Sequence, residues 1–277
     1  MEREKITIPD ILEKRRQGQK ITMLTAYDYP TALLVDRAGI DMILVGDSLG
    51  MVVLGYETTV PVTMDEMIHH TKAVVRGARF AMVVGDMPFM SYNTSEQDAI
   101  VNAGRFIKEG GADAVKLEGG TTVQNIVEAI ARAGIPVMGH IGLTPQTISQ
   151  LGGFKVQGRS AGAAKKIIED AKALEDAGAF SLVLEAIPAE IAERITGNVR
   201  IPTIGIGAGI SCDGQVLVYQ DMVGLFDRFV PKFVKQYSQV GEIMLHSFKQ
   251  FKEEVEKGVF PGEEHSFRMG QKELKKI

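Results

Sequence analysis

The sequence predicts an α/β fold: a single closed (βα)8 barrel of the TIM type, with a capping helix at its N-terminus and helices appended at its C-terminus. Three observations carry this expectation. Eight short apolar runs alternate with helical patterns over about 210 residues, a span that suits eight strand–helix units. The runs are apolar at consecutive positions, as expected of strands buried on both faces in a parallel sheet covered by helices. The 277 residues are 45% hydrophobic, enough for a substantial core. A doubly wound open sheet fits the same alternation.

In chain order, "TIPDILEKRRQG", within residues 1–18, reads as an extra helix capping the N-terminal face, with Asp10 close to its start. The candidate strands follow as "KITMLTAYD", "GIDMILVGDS", "RFAMVVGDMP", "DAVKLEGG", "GIPVMGHIG", "AFSLVLEAIP", "RIPTIGIGAG" and "QVLVYQDMVG". Between them, "TSEQDAIVNAGRFIKEGGA" and "SAGAAKKIIEDAKALEDAGA" repeat apolar residues at spacings of three and four and carry Gly at their ends, the pattern of an amphipathic helix and its stop. "GIGAG", residues 205–209, lacks the GxGxxG spacing of a dinucleotide site and reads as a tight strand-to-helix turn. From about residue 225 to residue 277 the chain reads as one or two appended helices, a loop and a basic tail. No linker rich in Pro, Gly or Ser interrupts it, so residues 1–277 are expected to form one catalytic domain with decorated ends.

Composition narrows the function. Lys and Arg number 31 against 35 Asp and Glu, for a net charge of -4, and the two signs are interspersed. No basic stripe tracks a phosphate backbone, so nucleic acid is not the expected partner. The single cysteine, Cys212, has no internal disulfide partner, and "MEREKITIPDILEKRRQG" has no apolar signal region, which together predict a cytoplasmic protein. No apolar run approaches the ~18 residues of a membrane span.

Barrels of this kind carry their active sites at the C-terminal ends of the strands. Three consecutive candidate strands end in an acid: Asp47, Asp86 and Glu118. Strand alternation puts Val45 and Asp47 on one face, and likewise Val84 with Asp86 and Lys116 with Glu118. With neighbouring strands ~4.8 Å apart, the three carboxylates would reach one side of the mouth and repel one another unless a cation sits among them. An all-oxygen set suits Mg²⁺ better than Zn²⁺ and leaves positions for a chelating ligand such as a 2-oxo acid. Lys116 could supply a point charge to a substrate carboxylate or a developing oxyanion.

Glu185 follows the sixth strand and is a candidate general base; His140 ends the fifth and is a base, a substrate hydrogen-bond partner or a structural imidazole. Each carboxylate taken alone also fits a helix cap or turn, and Lys116 alone fits an ordinary salt bridge. Ser48 has no G-x-S-x-G elbow or nearby His/Asp signature, so it is expected to grip substrate rather than act as a nucleophile. His69 and His70 sit in a helical pattern, without spacing for shared metal ligation, and read as helix surface or interface.

The blocks "VGDSLGMVVLGYETTVPVT", "GDMPFMSY", "VKLEGG", "GHIGLTPQ", "GGFKVQGR", "LVLEAIP", "TIGIGAG" and "FPGEEHSF", in this order and over nearly the whole chain, resemble the ketopantoate hydroxymethyltransferase family. The resemblance implies transfer of a one-carbon unit from 5,10-methylenetetrahydrofolate to 3-methyl-2-oxobutanoate, giving 2-dehydropantoate in the first committed step of pantothenate synthesis. It also implies one Mg²⁺ per subunit and a cytoplasmic homo-oligomer, commonly a decamer. By the family's pattern Asp47, Asp86 and Glu118 fall on the metal site, Asp47, Ser48, Asp86 and Lys116 line the oxo-acid site, Glu185 is the proton acceptor, and His140 is an accessory residue. The residues alone leave open a Mg²⁺-dependent lyase or mutase acting on a pyruvate-like enolate, a silent barrel that binds a small oxo acid, or a scaffold built through the C-terminal helices. Folate dependence and exchange of the substrate's C3 proton separate these readings.

Overall fold

The computed structural model describes residues 3–277. Eight parallel strands close into a barrel in chain order: β1 (Ile21–Thr25), β2 (Met42–Val45), β3 (Met82–Asp86), β4 (Ala114–Glu118), β5 (Val137–Gly142), β6 (Ser181–Glu185), β7 (Thr203–Ile206) and β8 (Gly214–Leu217). Closure is direct, with Met23 opposite both Met42 and Val216. The open-sheet alternative is therefore excluded.

The strands are apolar on both faces because each face meets a different core. Met42, Leu44, Met82, Val84, Met138 and Ile204 fill the barrel interior, while Ile43, Val45, Val83, Val115, Leu182 and Leu184 pack outward under the helices. The expected N-terminal helix, Ile8–Arg16, plugs the lower end of the barrel, with Ile11 fully buried in the interior cluster. Asp10 caps it by accepting from Thr7 N–H at 2.8 Å, and Lys14 and Arg15 anchor it on Asp41 and Asp213 at 2.5 and 3.0 Å.

Two elements depart from the simplest reading. The helix expected over residues 94–112 is regular only over Glu96–Arg105 and ends in a wide π turn, Phe106–Gly110, before Gly111 at φ 77°. Phe106 presses on β3 at Gly85, where any Cβ would stand 2.3 Å from the ring. The "GIGAG" turn leads into a strand, since no helix separates β7 from β8 and residues 207–213 make the return alone. Strands of four residues need only a short return, and the Asp213 carboxylate fastens its far end by accepting from Thr203 N–H at 2.9 Å.

The chain divides into two compact units. The first, residues 3–219 with 231–234, is the barrel; the second comprises residues 220–230 and 235–277. The second contains the expected appended helix, Val240–Glu256, and a short turn of helix, Gln271–Leu274. Among the described residues no helix is long and apolar enough to cross a membrane.

Candidate active site at the barrel mouth

Strands β2 to β6 deliver their chemistry at the C-terminal end of the barrel. Asp86 closes β3 and Lys116 lies opposite it on β4, so Lys116 Nζ donates to Asp86 Oδ1 at 2.6 Å. Both side chains are almost completely buried, at 2% and 4% exposed. Asp47 N–H donates to the other oxygen of Asp86 at 3.2 Å. The face expected for Asp47 needs correction. Val45 packs outward, whereas Asp47 joins the carboxylates of the mouth, because the strand ends at Val45 and the chain turns. The alternation holds for Val84 with Asp86 and for Lys116 with Glu118, where the strand continues.

Glu118 stands opposite His140 on β5, and Gly142 of the same strand stands opposite Glu185 on β6. His140 is sandwiched between two carboxylates, with Nδ1 3.3 Å from Glu118 and Nε2 3.0 Å from Glu185. These are ion-pair distances, yet neither ring nitrogen is aligned for a hydrogen bond, so charge carries the attraction. Glu185 is 15% exposed and is the more open of the two acids. Its position is set by backbone, since Gly142, at φ 96°, passes so close that a Cβ would lie 2.3 Å from Glu185 O. Ala186, which follows it, holds φ 47°, pinned by N–H donation to Ile206 O and by Gln157 N–H donating to its carbonyl, both at 2.9 Å. A non-glycine residue in the left-handed region carries strain that surrounding structure must maintain.

The charges at the mouth are unbalanced. Burial pushes the Asp47 carboxyl well above the usual carboxylate range, and the negative charges of Asp86 and Glu118 push it further, against the opposing effects of Lys116 and Gln146. Burial works against the Lys116 ammonium, but Asp86, Glu118 and Asp47 outweigh it and hold the group protonated. For His140, burial and then Lys116 favour the neutral ring, yet the adjoining carboxylates of Glu118 and Glu185 win and raise its pKa to about 9. The two flanking carboxylates thus favour the protonated ring.

Among the described residues, no three His, Cys, Asp or Glu side chains converge into a ready metal shell. Each acid of the expected trio is instead drawn to its own donor: Asp86 to Lys116, Asp47 to Gln146, and Glu118 to Gln146 N–H and His140. Ser48 heads the turn of helix Leu49–Val52, and its hydroxyl meets Tyr27 OH at 2.8 Å. His70 is more than helix surface, since its Nδ1 lies 2.6 Å from the Tyr27 carbonyl; His69 is exposed. Sequence reasoning passed over Tyr27, Tyr92 and Gln146. The last two stand inside the "GDMPFMSY" and "GHIGLTPQ" blocks, but no spacing marks a glutamine 99 residues from the aspartate it holds.

The pattern of the ketopantoate hydroxymethyltransferase family matches residues 5–263. The chain belongs to this family. A ketopantoate hydroxymethyltransferase relative from Moorella thermoacetica, named 3-methyl-2-oxobutanoate hydroxymethyltransferase, is 63% identical over 267 residues, covering 96% of this chain and 99% of its own. One of the same name from Carboxydothermus hydrogenoformans is 57% identical over 274 residues, covering 99% of each. Among solved structures, a phosphonopyruvate hydrolase in complex with oxalate and Mg²⁺ superposes with a TM-score of 0.62 at 10% identity, covering 94% of this chain and 93% of that one. A 2,3-dimethylmalate lyase of the PEP mutase/isocitrate lyase superfamily gives 0.60 at 14% identity, covering 97% and 93%. At such identities the likeness is one of fold alone.

Proposed function

We propose that this chain transfers a hydroxymethyl group from 5,10-methylenetetrahydrofolate to 3-methyl-2-oxobutanoate, giving 2-dehydropantoate and tetrahydrofolate, with one Mg²⁺ per subunit at the barrel mouth. Family membership and the name shared by the two relatives support the activity. The observation that carries the chemistry is the burial of Asp47, Asp86 and Glu118 around a single lysine.

The residues fit a hard cation. Their donors are all oxygen, and three buried acids beside one buried lysine leave negative charge for a cation to balance. Asp47, Asp86 and Glu118 are the residues that would hold Mg²⁺. When bound, the ion polarises the oxo group of the substrate and makes its C3 proton acidic. A solved barrel of the same architecture that binds oxalate and Mg²⁺ is in keeping with this reading.

The chain's own groups divide the remaining work. Lys116 Nζ, fixed on Asp86, presents positive charge to the substrate oxygens, and the Ser48 hydroxyl, steadied by Tyr27, orients them. Glu185 Oε accepts the C3 proton. The adjoining His140 ring, its Nε2 3.0 Å from Glu185 Oε2, holds that carboxylate in place. The C3 carbon then bonds to the one-carbon unit and water supplies the hydroxyl oxygen. Two carbon–nitrogen bonds of the folate break, and the proton from C3 and one from water end on its two nitrogens.

Proton NMR of 3-methyl-2-oxobutanoate in D₂O with protein, Mg²⁺ and the folate tests the reading against a chelator control. Loss of the C3 proton signal and appearance of 2-dehydropantoate, both requiring metal, are expected. An unchanged substrate spectrum with folded protein would sink the proposal. Exchange at C3 with no folate-dependent product would move the assignment to a lyase or mutase.

A further inference from the structure

We propose that Gln146, oriented by Tyr92, is a positioning residue that decides which oxygens of Asp47 and Glu118 face the reacting centre. The inference rests on the reading of this mouth as the oxo-acid and metal site.

Gln146 lies in the short turn Pro145–Thr147 after β5 and is 3% exposed. It reaches three strand ends at once. Its Nε2 donates to Asp47 Oδ2 beyond β2 and to Met87 O beyond β3, both at 2.9 Å, while its backbone N–H donates to Glu118 Oε2 at the end of β4 at 3.0 Å. Its Oε1 accepts from Tyr92 OH at 2.6 Å, and that hydroxyl in turn accepts from Glu118 N–H at 3.2 Å. Reversing the amide would set its oxygen against Asp47 Oδ2 and the Met87 carbonyl, while the Tyr92 hydroxyl would turn its hydrogen to Glu118 O at 3.1 Å. Only one orientation satisfies every group, and in a buried network a wrong orientation leaves polar atoms unpaired. With Oδ2 of Asp47 and Oε2 of Glu118 engaged by Gln146, the oxygens it does not take are Oδ1 of Asp47 and Oε1 of Glu118, the latter 3.3 Å from His140 Nδ1. A glutamine serving only packing would not bridge two catalytic carboxylates.

The test compares the wild type, Gln146→Leu, Tyr92→Phe and the double variant, reading Mg²⁺ affinity by calorimetry, kcat and KM for the oxo acid, and thermal unfolding. Removing a partner that orients a metal ligand typically costs about 10- to 100-fold in affinity. Gln146→Leu is expected to lose Mg²⁺ affinity in that range, Tyr92→Phe less, and the double variant no more than Gln146→Leu. Unchanged Mg²⁺ affinity in folded Gln146→Leu, or losses that simply add, would overturn the proposal. A wild type that binds no Mg²⁺ instead refutes the proposed function. The unfolding cycle then decides for the pair without any ligand: non-additive midpoints support the Tyr92–Gln146 coupling and additive ones overturn it.

Discussion

Glu185 and Asp86 are both acids at strand ends, yet their surroundings predict different consequences of removal. Glu185 pairs with His140 and stays partly open, so Glu185→Gln should slow C3 exchange by about 10²- to 10⁴-fold while oxo-acid affinity holds. NMR exchange rates and calorimetry separate the two quantities; a parallel loss of affinity would make Glu185 a binding residue. Among the described residues, Asp86 is the partner that the buried Lys116 ammonium hydrogen-bonds. Asp86→Ala strands Lys116, which should cost about 3–5 kcal/mol of stability and weaken Mg²⁺ and oxo acid together. Unaltered titrations of both ligands would remove Asp86 from the site. The identities of these acids were legible because a charge at the end of an apolar run is conspicuous. Their partners were not, since a hydrogen bond between residues 47 and 146 leaves no local pattern.

Elements set the precision with which these residues meet. β5 brings Gly142 against the Glu185 carbonyl, and only a residue without Cβ passes there at φ 96°. Gly142→Ala should therefore cost about 1–2 kcal/mol from the backbone conformation alone, with the contact adding to it. It should also slow C3 exchange by displacing Glu185. Urea unfolding and exchange kinetics measure the two effects, and wild-type values of both would show that the end of β5 does not set the position of the base. The helix under the barrel makes the opposite prediction. Ile11→Ala opens a cavity in the interior core, expected to cost about 2–5 kcal/mol while leaving kcat of the folded protein unchanged. A fall in kcat at full folding would show that the floor is coupled to the mouth. Strand positions were readable from apolar runs, but the exact end of β2 was not. That end decides whether Asp47 follows the alternation of Val45 or leaves it.

At the scale of the whole molecule, stability should carry a signature of Asp221, whose pKa burial raises to about 6 from 3.8. The unfolded chain releases this proton first as pH rises, so between about 4 and about 6 the folded state binds more protons and stability falls with increasing pH. Glu13 has the opposite sign: hydrogen bonds from Arg16 and Gln17 lower it from 4.5 to about 2, so its contribution fades as pH falls across that range. Asp221→Asn isolates the first effect. Urea unfolding of both proteins across the window should give a stability difference that grows as pH rises, and parallel curves would contradict it. The sequence by itself determined the number and order of the strands, the parallel sheet they favour and the three acids at their ends, while closure of that sheet was settled only by the pairing of β1 with β8. Runs apolar at every position can be buried only between two layers, and a charge that ends such a run must emerge at the rim. Only the tertiary structure decided which donor each acid takes, that His140 lies between Glu118 and Glu185, and that β7 returns to β8 without a helix. Those outcomes depend on groups brought together by barrel closure, and separation along the chain carries no record of it.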